Sequence, residues 1–332
     1  MADLKTKLYQ MFILGVNDFD ACTEEVSSFC CDALKNGLGG VIFFTKDIQN
    51  VEQFKSLISK IKTVSLISPF LSIDQEGGRV ERTENIHKGK KYLSAKYAFE
   101  KGENFLAAQT DAMAKELKEY GINLNFAPCI DTNTNPNNPI IGERAYSSKA
   151  EEVIIAENIV SSIYRKNGII PCVKHYPGHG DANADSHLTL PEIDLSMDEM
   201  KNIHIKPFKE AVKNGADMVM AAHLHCTCFD KDVIPASLSK NALSYLRKEL
   251  GFSGVIISDD MVMKGVADFG EVEAFIMGIR AGINLFIYRN SNSTIIGIIE
   301  KIYQIALYDN EIKSKIENSY EKIINLKEKY SI

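Results

Sequence analysis

Eight short apolar runs recur along the chain, and most of them end in polar or glycine residues. The runs span residues 11–16, 40–45, 69–74, 122–128, 169–175, 218–223, 254–259 and 283–288. Near-continuous apolar runs of this length, rich in Val, Ile, Leu and Phe, are typical of strands buried on both faces, as in a parallel sheet. The pattern therefore predicts eight buried strands.

Segments with helical spacing of apolar residues lie between most of these runs, for example at 103–120, 150–167, 197–214 and 240–250. Strand and helix alternating eight times predict an α/β protein with a single (β/α)8 TIM-type barrel. The charged, periodic residues 291–330 predict one or two C-terminal helices, and residues 1–332 are interpreted as one catalytic domain. A doubly wound open sheet also fits the pattern, but no Gly-x-Gly-x-x-Gly follows the first run to favour it.

Polar residues collect where the predicted strands end, which is where a barrel of this kind carries its functional site. These residues are Asp74, Asp131, Lys174, His175, His223 and Asp259. Convergence of so many strand ends on polar side chains would be unusual for a barrel with a structural role alone. The sequence therefore predicts a site at this mouth of the barrel.

A glycine-rich loop at residues 174–187 holds three of the seven histidines of the chain. Asp185 and His187 are two residues apart, so a bend can bring the carboxylate to the imidazole ring. A carboxylate in that position fixes the tautomer of the ring and raises its basicity, which suits a proton shuttle near neutral pH. The alternative, a loop whose histidines only satisfy backbone groups, is disfavoured by their density.

Two other strand ends carry carboxylates of interest. Asp259 is suited to attack an anomeric carbon or to hold a metal. Asp260 should lie on the opposite face of the strand, since side chains alternate, and we expect it to cap the next helix. Asp74 is suited to accept hydrogen bonds from sugar hydroxyls, and turn-rich segments can deliver Arg82 and Arg144 to the same pocket.

Metal binding is a second interpretation of the histidines. The possible ligands are His175, His179, His187, His223, His225, Cys226 and Cys228. Their spacing matches neither His-Glu-x-x-His nor paired Cys-x-x-Cys. The sequence therefore predicts no metal and no other cofactor.

Charge and composition narrow the possible partners. A net charge of −6, with lysines and arginines spread along the chain, argues against nucleic acid. No stretch approaches the roughly 18 apolar residues of a membrane span, and charges stand near the start where a signal peptide needs an apolar stretch. Seven cysteines, two of them adjacent, fit reduced thiols. We therefore expect a cytoplasmic monomer that binds a small molecule and no membrane.

Three motifs together resemble glycoside hydrolase family 3, and most closely its single-domain β-N-acetylglucosaminidases of peptidoglycan recycling. Lys-His-Tyr-Pro-Gly-His-Gly-Asp at 174–181, followed by Asp-Ser-His at 185–187, is similar to the hallmark of this branch. Asp-Gln-Glu-Gly-Gly-Arg-Val-Glu-Arg at 74–82 and Ser-Asp-Asp-Met at 258–261 are similar to two further family motifs. All three occur in the order of the family.

The resemblance implies a retaining exo-acting hydrolase that removes terminal β-1,4-linked N-acetylglucosamine from N-acetylglucosaminyl-1,6-anhydromuramyl peptides, through a covalent glycosyl-aspartate intermediate. It implies that Asp259 is the nucleophile, and that His187, partnered by Asp185, is the general acid and then the base. The residues that it assigns to binding the terminal sugar are Asp74, Arg82, Arg144, Lys174 and His175.

Three alternative functions stay open on the sequence. A phosphorylase of the same family could use the same nucleophile, because a histidine repels phosphate less than a carboxylate does. A non-catalytic sugar-binding barrel would keep the pocket without turnover. A metal-dependent hydrolase would use the histidines as ligands.

Overall fold

The computed structural model describes residues 2–20, 25–87, 91–183 and 190–332. Eight of its strands form a closed parallel barrel in the order β1-β10-β9-β7-β5-β4-β3-β2. The barrel strands are β1 (Phe12–Gly15), β2 (Gly40–Phe43), β3 (Phe70–Ile73), β4 (Leu124–Asn125), β5 (Ile170–Tyr176), β7 (Met218–Ala221), β9 (Val255–Asp260) and β10 (Leu285–Tyr288). All eight coincide with the predicted apolar runs, and the predicted (β/α)8 barrel is confirmed.

Helices surround the barrel and follow the predicted alternation. They are α1 (Leu4–Tyr9), α2 (Ser28–Lys35), α3 (Val51–Val64), α4 (Ala95–Glu100), α5 (Glu103–Tyr120), α6 (Ala150–Lys166), α7 (Met197–Glu199), α8 (Ile205–Lys213), α9 (Lys240–Lys248), α10 (Lys264–Ala267), α11 (Glu271–Ala281), α12 (Ser293–Ala306) and α13 (Asn310–Lys329). The last two are the expected C-terminal helices. The helix predicted at 197–214 is divided, because one turn of π-helix, Met200–His204, separates α7 from α8.

Two further strands, β6 (Glu192–Ile193) and β8 (His225–Cys226), pair in parallel outside the barrel. They lie in the loops that follow β5 and β7, on the same side as the carboxyl ends of the barrel strands. Within the described ranges, no helix is long and apolar enough to cross a membrane.

Two barrel strands carry a bulge close to their carboxyl ends. Between Val173 and Tyr176, β5 advances three residues while its neighbour β7 advances two. In the same way, β9 advances three residues from Ile257 to Asp260 while β10 advances two. An extra residue breaks the strict alternation of faces, so two consecutive side chains can be directed to one side. Both bulges fall on segments where the sequence carries paired polar residues.

A buried lysine closes the amino-terminal end of the barrel. Lys327 of α13 donates hydrogen bonds to Gln10 Oε1 at 2.8 Å and to the Gly39 carbonyl at 3.0 Å, just before β1 and β2. Its ammonium lies 4.8 Å from the centre of the Phe70 ring, at the start of β3. Burial lowers the pKa of Lys327 to about 7, because a charged ammonium is costly to remove from water. The C-terminal helix is thereby attached to three strands at once.

Replacing Lys327 by methionine should change how stability depends on pH. Between the lowered pKa of folded Lys327, about 7, and the ordinary value of 10.5, the unfolded chain binds the proton and the folded chain does not. The free energy of unfolding therefore rises with pH in this window, by about 1 kcal/mol per pH unit. Urea denaturation from pH 7.5 to 9.5 should show this gain for the wild type relative to Lys327→Met. Lys313→Met, an exposed change on the same helix, should leave the slope intact, and a pH-independent difference between wild type and Lys327→Met would contradict the assignment.

Candidate active site

A cavity of about 540 Å³ opens at the carboxyl ends of the barrel strands. This volume lies within the range of small-molecule sites, about 300–1,000 Å³. Six of the predicted site residues line it: Asp74, Arg82, Arg144, Lys174, His175 and Asp259. The structure therefore brings together side chains from four segments that are far apart in the sequence.

Lys174 carries a positive charge on the floor of this cavity. Its ammonium lies 2.6 Å from Asp74 Oδ1 and 2.6 Å from Glu76 Oε1, and the lysine side chain is almost fully buried. Burial alone would lower the pKa of Lys174, but the charges of the two carboxylates raise it above its usual value. The lysine is therefore held as a cation.

Arg144 completes this group of charges from the segment after β4. It forms two parallel hydrogen bonds with Glu76, from Nε to Oε2 and from Nη2 to Oε1, each 2.8 Å long. Burial alone would raise the pKa of Glu76, but the charges of Arg144 and Lys174 lower it well below its usual range. Two-point contact between a guanidinium and a carboxylate fixes orientation as well as charge. Arg144 is thus directed into the cavity in one geometry.

A buried carboxylate orients His175. Asp131 Oδ2 accepts a hydrogen bond from His175 Nδ1 at 2.7 Å, and Oδ1 accepts one from the His179 backbone N–H at 2.6 Å. His175 Nε2 lies 3.3 Å from Arg144 Nη2. Asp131 is therefore a positioning group for a cavity-lining histidine.

His179 is also directed to the cavity, and it lies close to His175, with 5.9 Å between the ring centres. Neither of its ring nitrogens has a hydrogen-bond partner among the residues that the structure describes. Burial, together with the charge of His175, lowers the pKa of His179 to about 4. The ring is therefore neutral near pH 7.

Asp259 reaches the cavity from the bulged end of β9. Its Oδ1 accepts a hydrogen bond from the Asp260 backbone N–H at 2.8 Å. Burial alone would raise the pKa of Asp259, but the charges of His223 and His175 lower it. The Asp260 N–H and the Lys174 ammonium act in the same direction. Asp259 is thus an ionised carboxylate at neutral pH, as a nucleophile requires.

Asp260 differs from two predictions, those for its face of the strand and for its role as a helix cap. It lines the cavity beside Asp259 rather than lying on the opposite face, because the bulge in β9 breaks the alternation. It does not cap a helix, since α10 begins after Met263 without a side-chain cap. Its Oδ1 accepts instead the backbone N–H groups of Val262 and Arg289, and burial raises its pKa to about 6.

A tight turn after β3 brings Arg82 back to the cavity. Gly77 and Gly78 both adopt positive φ angles, 91° and 62°, which glycine alone adopts without strain. A Cβ atom on Gly77 would lie 2.4 Å from the Leu93 carbonyl oxygen, so the turn has no room for another residue. The Arg82 backbone N–H then donates to Gln75 Oε1 at 2.8 Å.

The predicted acid/base residues Asp185 and His187 lie outside the described residues. The loop that leads to them is well packed, because a Cβ atom on Gly180 would meet the Thr132 carbonyl oxygen at 1.8 Å. Thr134 Oγ1 also donates to Asp181 Oδ1 at 2.7 Å. The roles of Asp185 and His187 stay predictions from the sequence.

Two histidines of the metal hypothesis contact other groups. His223 Nδ1 lies 2.7 Å from Ser237 Oγ, and His225 Nδ1 lies 3.3 Å from the Ile234 carbonyl oxygen. Within the described ranges, the group of potential ligand atoms that do lie close together is Cys129, Asp131 and His175. These atoms already form hydrogen bonds with one another, since Asp131 accepts from both Cys129 and His175.

The sequence interpretation missed several residues of this site. Glu76 stands two residues beyond a predicted strand end, in a motif whose predicted binding residues are Asp74 and Arg82. Asp131 stands at a strand end, but its sequence surroundings assign it no role. Lys46 and Arg289 line the cavity directly after the second and eighth predicted strands, so the strand-end rule would have found both.

A closed (β/α)8 barrel with an ionised carboxylate and a set of fixed polar groups at its carboxyl mouth has the architecture of a barrel glycosidase. The chain belongs to glycosyl hydrolase family 3, because the family model for the N-terminal domain matches residues 3–326. The predicted family is therefore confirmed.

Individual relatives agree with this assignment. Beta-hexosaminidase A of Pseudoalteromonas piscicida is 33% identical over 270 residues, which cover 75% of this chain but only 45% of that protein. A beta-hexosaminidase of Psychromonas ingrahamii is 34% identical over 316 residues, 91% of this chain and 90% of that protein. The chain thus spans less than half of the first relative and nearly all of the second.

A solved structure shows the same fold. A glycoside hydrolase family 3 beta-N-acetylglucosaminidase from Paenibacillus sp. superposes with a TM-score of 0.91 at 28% identity, covering 100% of this chain and 63% of that chain. These likenesses are of family and of fold, and the chain spans only part of the first relative and of this solved structure.

Replacing Glu76 by glutamine should destabilise the protein. The amide keeps the shape of the side chain but leaves the buried cations Lys174 and Arg144 short of one negative charge, and breaking a buried pair costs about 3–5 kcal/mol. Guanidinium denaturation should show a loss of this order, whereas the surface change Glu84→Gln should stay within about 0.5 kcal/mol of the wild type. Equal denaturation midpoints for Glu76→Gln and the wild type would contradict the proposed charge balance.

Proposed function

We propose that the chain is a retaining exo-β-N-acetylglucosaminidase that acts through a covalent glycosyl-aspartate intermediate at Asp259. The observation that carries the proposal is the ionised Asp259 carboxylate, which faces a cavity where Lys174 and His175 are fixed by hydrogen bonds. Family membership and the β-hexosaminidase relatives support the choice of sugar.

In the first step, Asp259 attacks the anomeric carbon of the bound sugar. A C–O bond forms between the carboxylate and the anomeric carbon, while the bond to the leaving oxygen breaks and its electron pair goes to that oxygen. His187, protonated, gives its proton to the leaving oxygen, and Asp185 supports the imidazolium. The Lys174 and His223 side chains keep Asp259 ionised until it reacts.

In the second step, water releases the sugar. Neutral His187 takes a proton from the water, whose oxygen attacks the anomeric carbon as the bond to Asp259 breaks. The Asp259 carboxylate is restored, and the net configuration at the anomeric carbon is retained because two displacements have occurred. The histidine–aspartate pair takes the place of the second carboxylate found in most retaining glycosidases.

The floor of the cavity binds the hydroxyl groups of the terminal sugar in this proposal. Asp74 accepts hydrogen bonds, Lys174 and Arg144 donate them, and His175 Nε2 is directed toward the same space. Arg82 contributes from the turn after β3. Lys174 already contacts Asp74, and Arg144 contacts His175, so little reorganisation of these groups accompanies the reaction.

The proposed natural substrate is an N-acetylglucosaminyl-1,6-anhydromuramyl peptide of cell-wall recycling, cleaved in the cytoplasm by a monomeric enzyme with one catalytic domain over residues 1–332. The resemblance of the Asp-Ser-His segment at 185–187 to the N-acetylglucosaminidase branch supports this substrate. Free thiols at Cys30, Cys129 and Cys172 agree with a reducing compartment. The molar mass measured by light scattering in solution tests whether the enzyme is a monomer.

Replacing Asp259 by asparagine should abolish turnover of an aryl N-acetyl-β-glucosaminide, with kcat/KM reduced by about 10³-fold or more because the covalent step is lost. Asp268→Asn, an exposed change on the segment after α10, should keep wild-type rates. Full activity of a correctly folded Asp259→Asn protein would contradict the proposal that Asp259 is the nucleophile.

Trapping gives a second and independent test of the nucleophile. A slow fluorinated N-acetylglucosamine-type substrate should leave a glycosyl label on the peptide that contains Asp259, measured by mass spectrometry after digestion. A label on another carboxylate would reassign the nucleophile. Product analysis with and without inorganic phosphate separates hydrolysis from phosphorolysis, since a sugar 1-phosphate as the main product would contradict a hydrolase.

A further inference from the structure

A buried histidine stands behind the turn that delivers Arg82 to the cavity. His87 is 4% exposed and is not among the residues that line the cavity. Its ring lies between two carboxylates, because Nε2 contacts the Glu81 carboxylate and Nδ1 lies 2.8 Å from Glu116 Oε1. Glu81 belongs to the turn after β3, whereas Glu116 belongs to α5. The imidazole therefore connects the turn to a helix of the outer layer of the barrel.

Two hydroxyl groups complete this arrangement. Thr83 Oγ1 lies 2.9 Å from His87 Nε2 and donates to Glu116 Oε1 at 3.2 Å. Tyr92 donates to Glu116 Oε2 at 2.9 Å, and its ring packs edge-on against the imidazole, with 5.0 Å between the centres. The His87 cluster thus consists of Glu81, Thr83, His87, Tyr92 and Glu116.

Arg82 stands in the sequence between two members of this cluster, Glu81 and Thr83. Its Nε is buried and has no hydrogen-bond partner among the described residues. Arg144 differs in this respect, because it forms two hydrogen bonds with a buried carboxylate. The position of Arg82 is therefore set by the side chains of its two neighbours, together with the hydrogen bond from its backbone N–H to Gln75.

The charge of His87 determines whether the cluster is stable. Burial alone would lower the pKa of His87, but its contacts with the Glu116 and Glu81 carboxylates raise it to about 9. In the described part of the chain, the titratable groups around the ring are these two carboxylates and Tyr92. Burial and the charge of Glu116 raise the pKa of Tyr92 above its usual value. Below pH 9 an imidazolium therefore separates two carboxylates that would repel each other across a neutral ring.

We propose that His87 is a positioning residue for Arg82, because the imidazolium between Glu81 and Glu116 fixes the turn that presents the Arg82 guanidinium to the terminal sugar. The inference rests on the proposed function, since it takes Arg82 as a group that binds this sugar. A side chain that does not touch the sugar then contributes to how tightly the sugar is bound. Loss of the proton from His87 weakens binding and leaves the nucleophile in place.

A double-mutant cycle tests whether His87 acts through Arg82. The probe is N-acetylglucosamine, and its competitive inhibition constant Ki is measured near pH 7 against an aryl N-acetyl-β-glucosaminide. Arg82→Gln should raise Ki about ten-fold or more, the scale of a hydrogen bond from a charged group. His87→Gln should raise Ki about three- to ten-fold. In the Arg82→Gln background, His87→Gln should change Ki by less than about two-fold, because the contact is already lost.

The pH dependence of Ki is a readout that a purely structural role would not change. In the wild type, Ki should rise as the pH passes through about 9, because folded His87 loses its proton there. N-acetylglucosamine is uncharged, so its own ionisation does not contribute. Arg82→Gln and His87→Gln should both lack this rise. The imidazole nitrogen signals of His87 in NMR spectra, identified by their absence in His87→Gln, should titrate with the same midpoint.

Two further variants separate positioning from folding. His87→Gln leaves Glu81 and Glu116 without their cation, so its denaturation midpoint should fall. His87→Gln combined with Glu116→Gln relieves the repulsion, and it should recover stability while still lacking the rise of Ki near pH 9. Glu119→Gln is an exposed change three residues further along α5 that breaks a surface ion pair with Lys55. It should keep both Ki and its pH dependence.

Several results would overturn the positioning role. These are an unchanged Ki in folded Arg82→Gln or His87→Gln, a full additional loss of affinity for His87→Gln in the Arg82→Gln background, and a wild-type Ki that is constant from pH 7 to 10. Each of them leaves the glycosidase proposal standing, because the wild type still cleaves the aryl substrate. A wild type that cleaves no aryl N-acetyl-β-glucosaminide contradicts the proposed function itself.

Discussion

The site depends on one constraint, which is that the Lys174 ammonium has been taken out of water. A buried cation needs carboxylates within contact distance, and the loop after β3 supplies two, Asp74 and Glu76. Glu76 in turn needs more than one positive partner, which brings in Arg144 from the segment after β4. Arg144 then limits how His175 can point. The ion pairs that stabilise the Lys174 ammonium thus fix the relative positions of three strand ends. The polar surface of the cavity follows from these ion pairs.

Much of this fold is visible in the pattern of apolar residues. All eight strands and the long helix Glu103–Tyr120 fall where the periodicity predicts, because a strand buried on both faces has few polar positions. The bulges are different. Nothing in the alternation of Val255 to Asp260 indicates an inserted residue, since register depends on the neighbouring strand, so the sequence placed Asp259 and Asp260 on opposite faces. Local patterns predict which residues stand at a strand end, but not to which face of the strand each side chain is directed.

The site residues show the same limit. Motifs found the charged groups at strand ends, because barrel chemistry is concentrated there. They gave no reason to pair Asp131 with His175, or to join Glu76 with Arg144, because those contacts span 44 and 68 residues and depend on loop geometry.

The attachment of α13 to the amino-terminal end of the barrel affects the order in which parts of the barrel can fold during synthesis. Lys327 bonds with groups 317 and 288 residues earlier in the chain, and β1 pairs with β10 across a similar span. A chain still emerging from the ribosome can therefore form its middle strands. It can neither close the barrel nor cover the amino-terminal end of the barrel until β10 and α13 have been made. The edges of β1 and its neighbours stay exposed to other chains during that interval. Complete folding of this barrel therefore waits until α13 has been made.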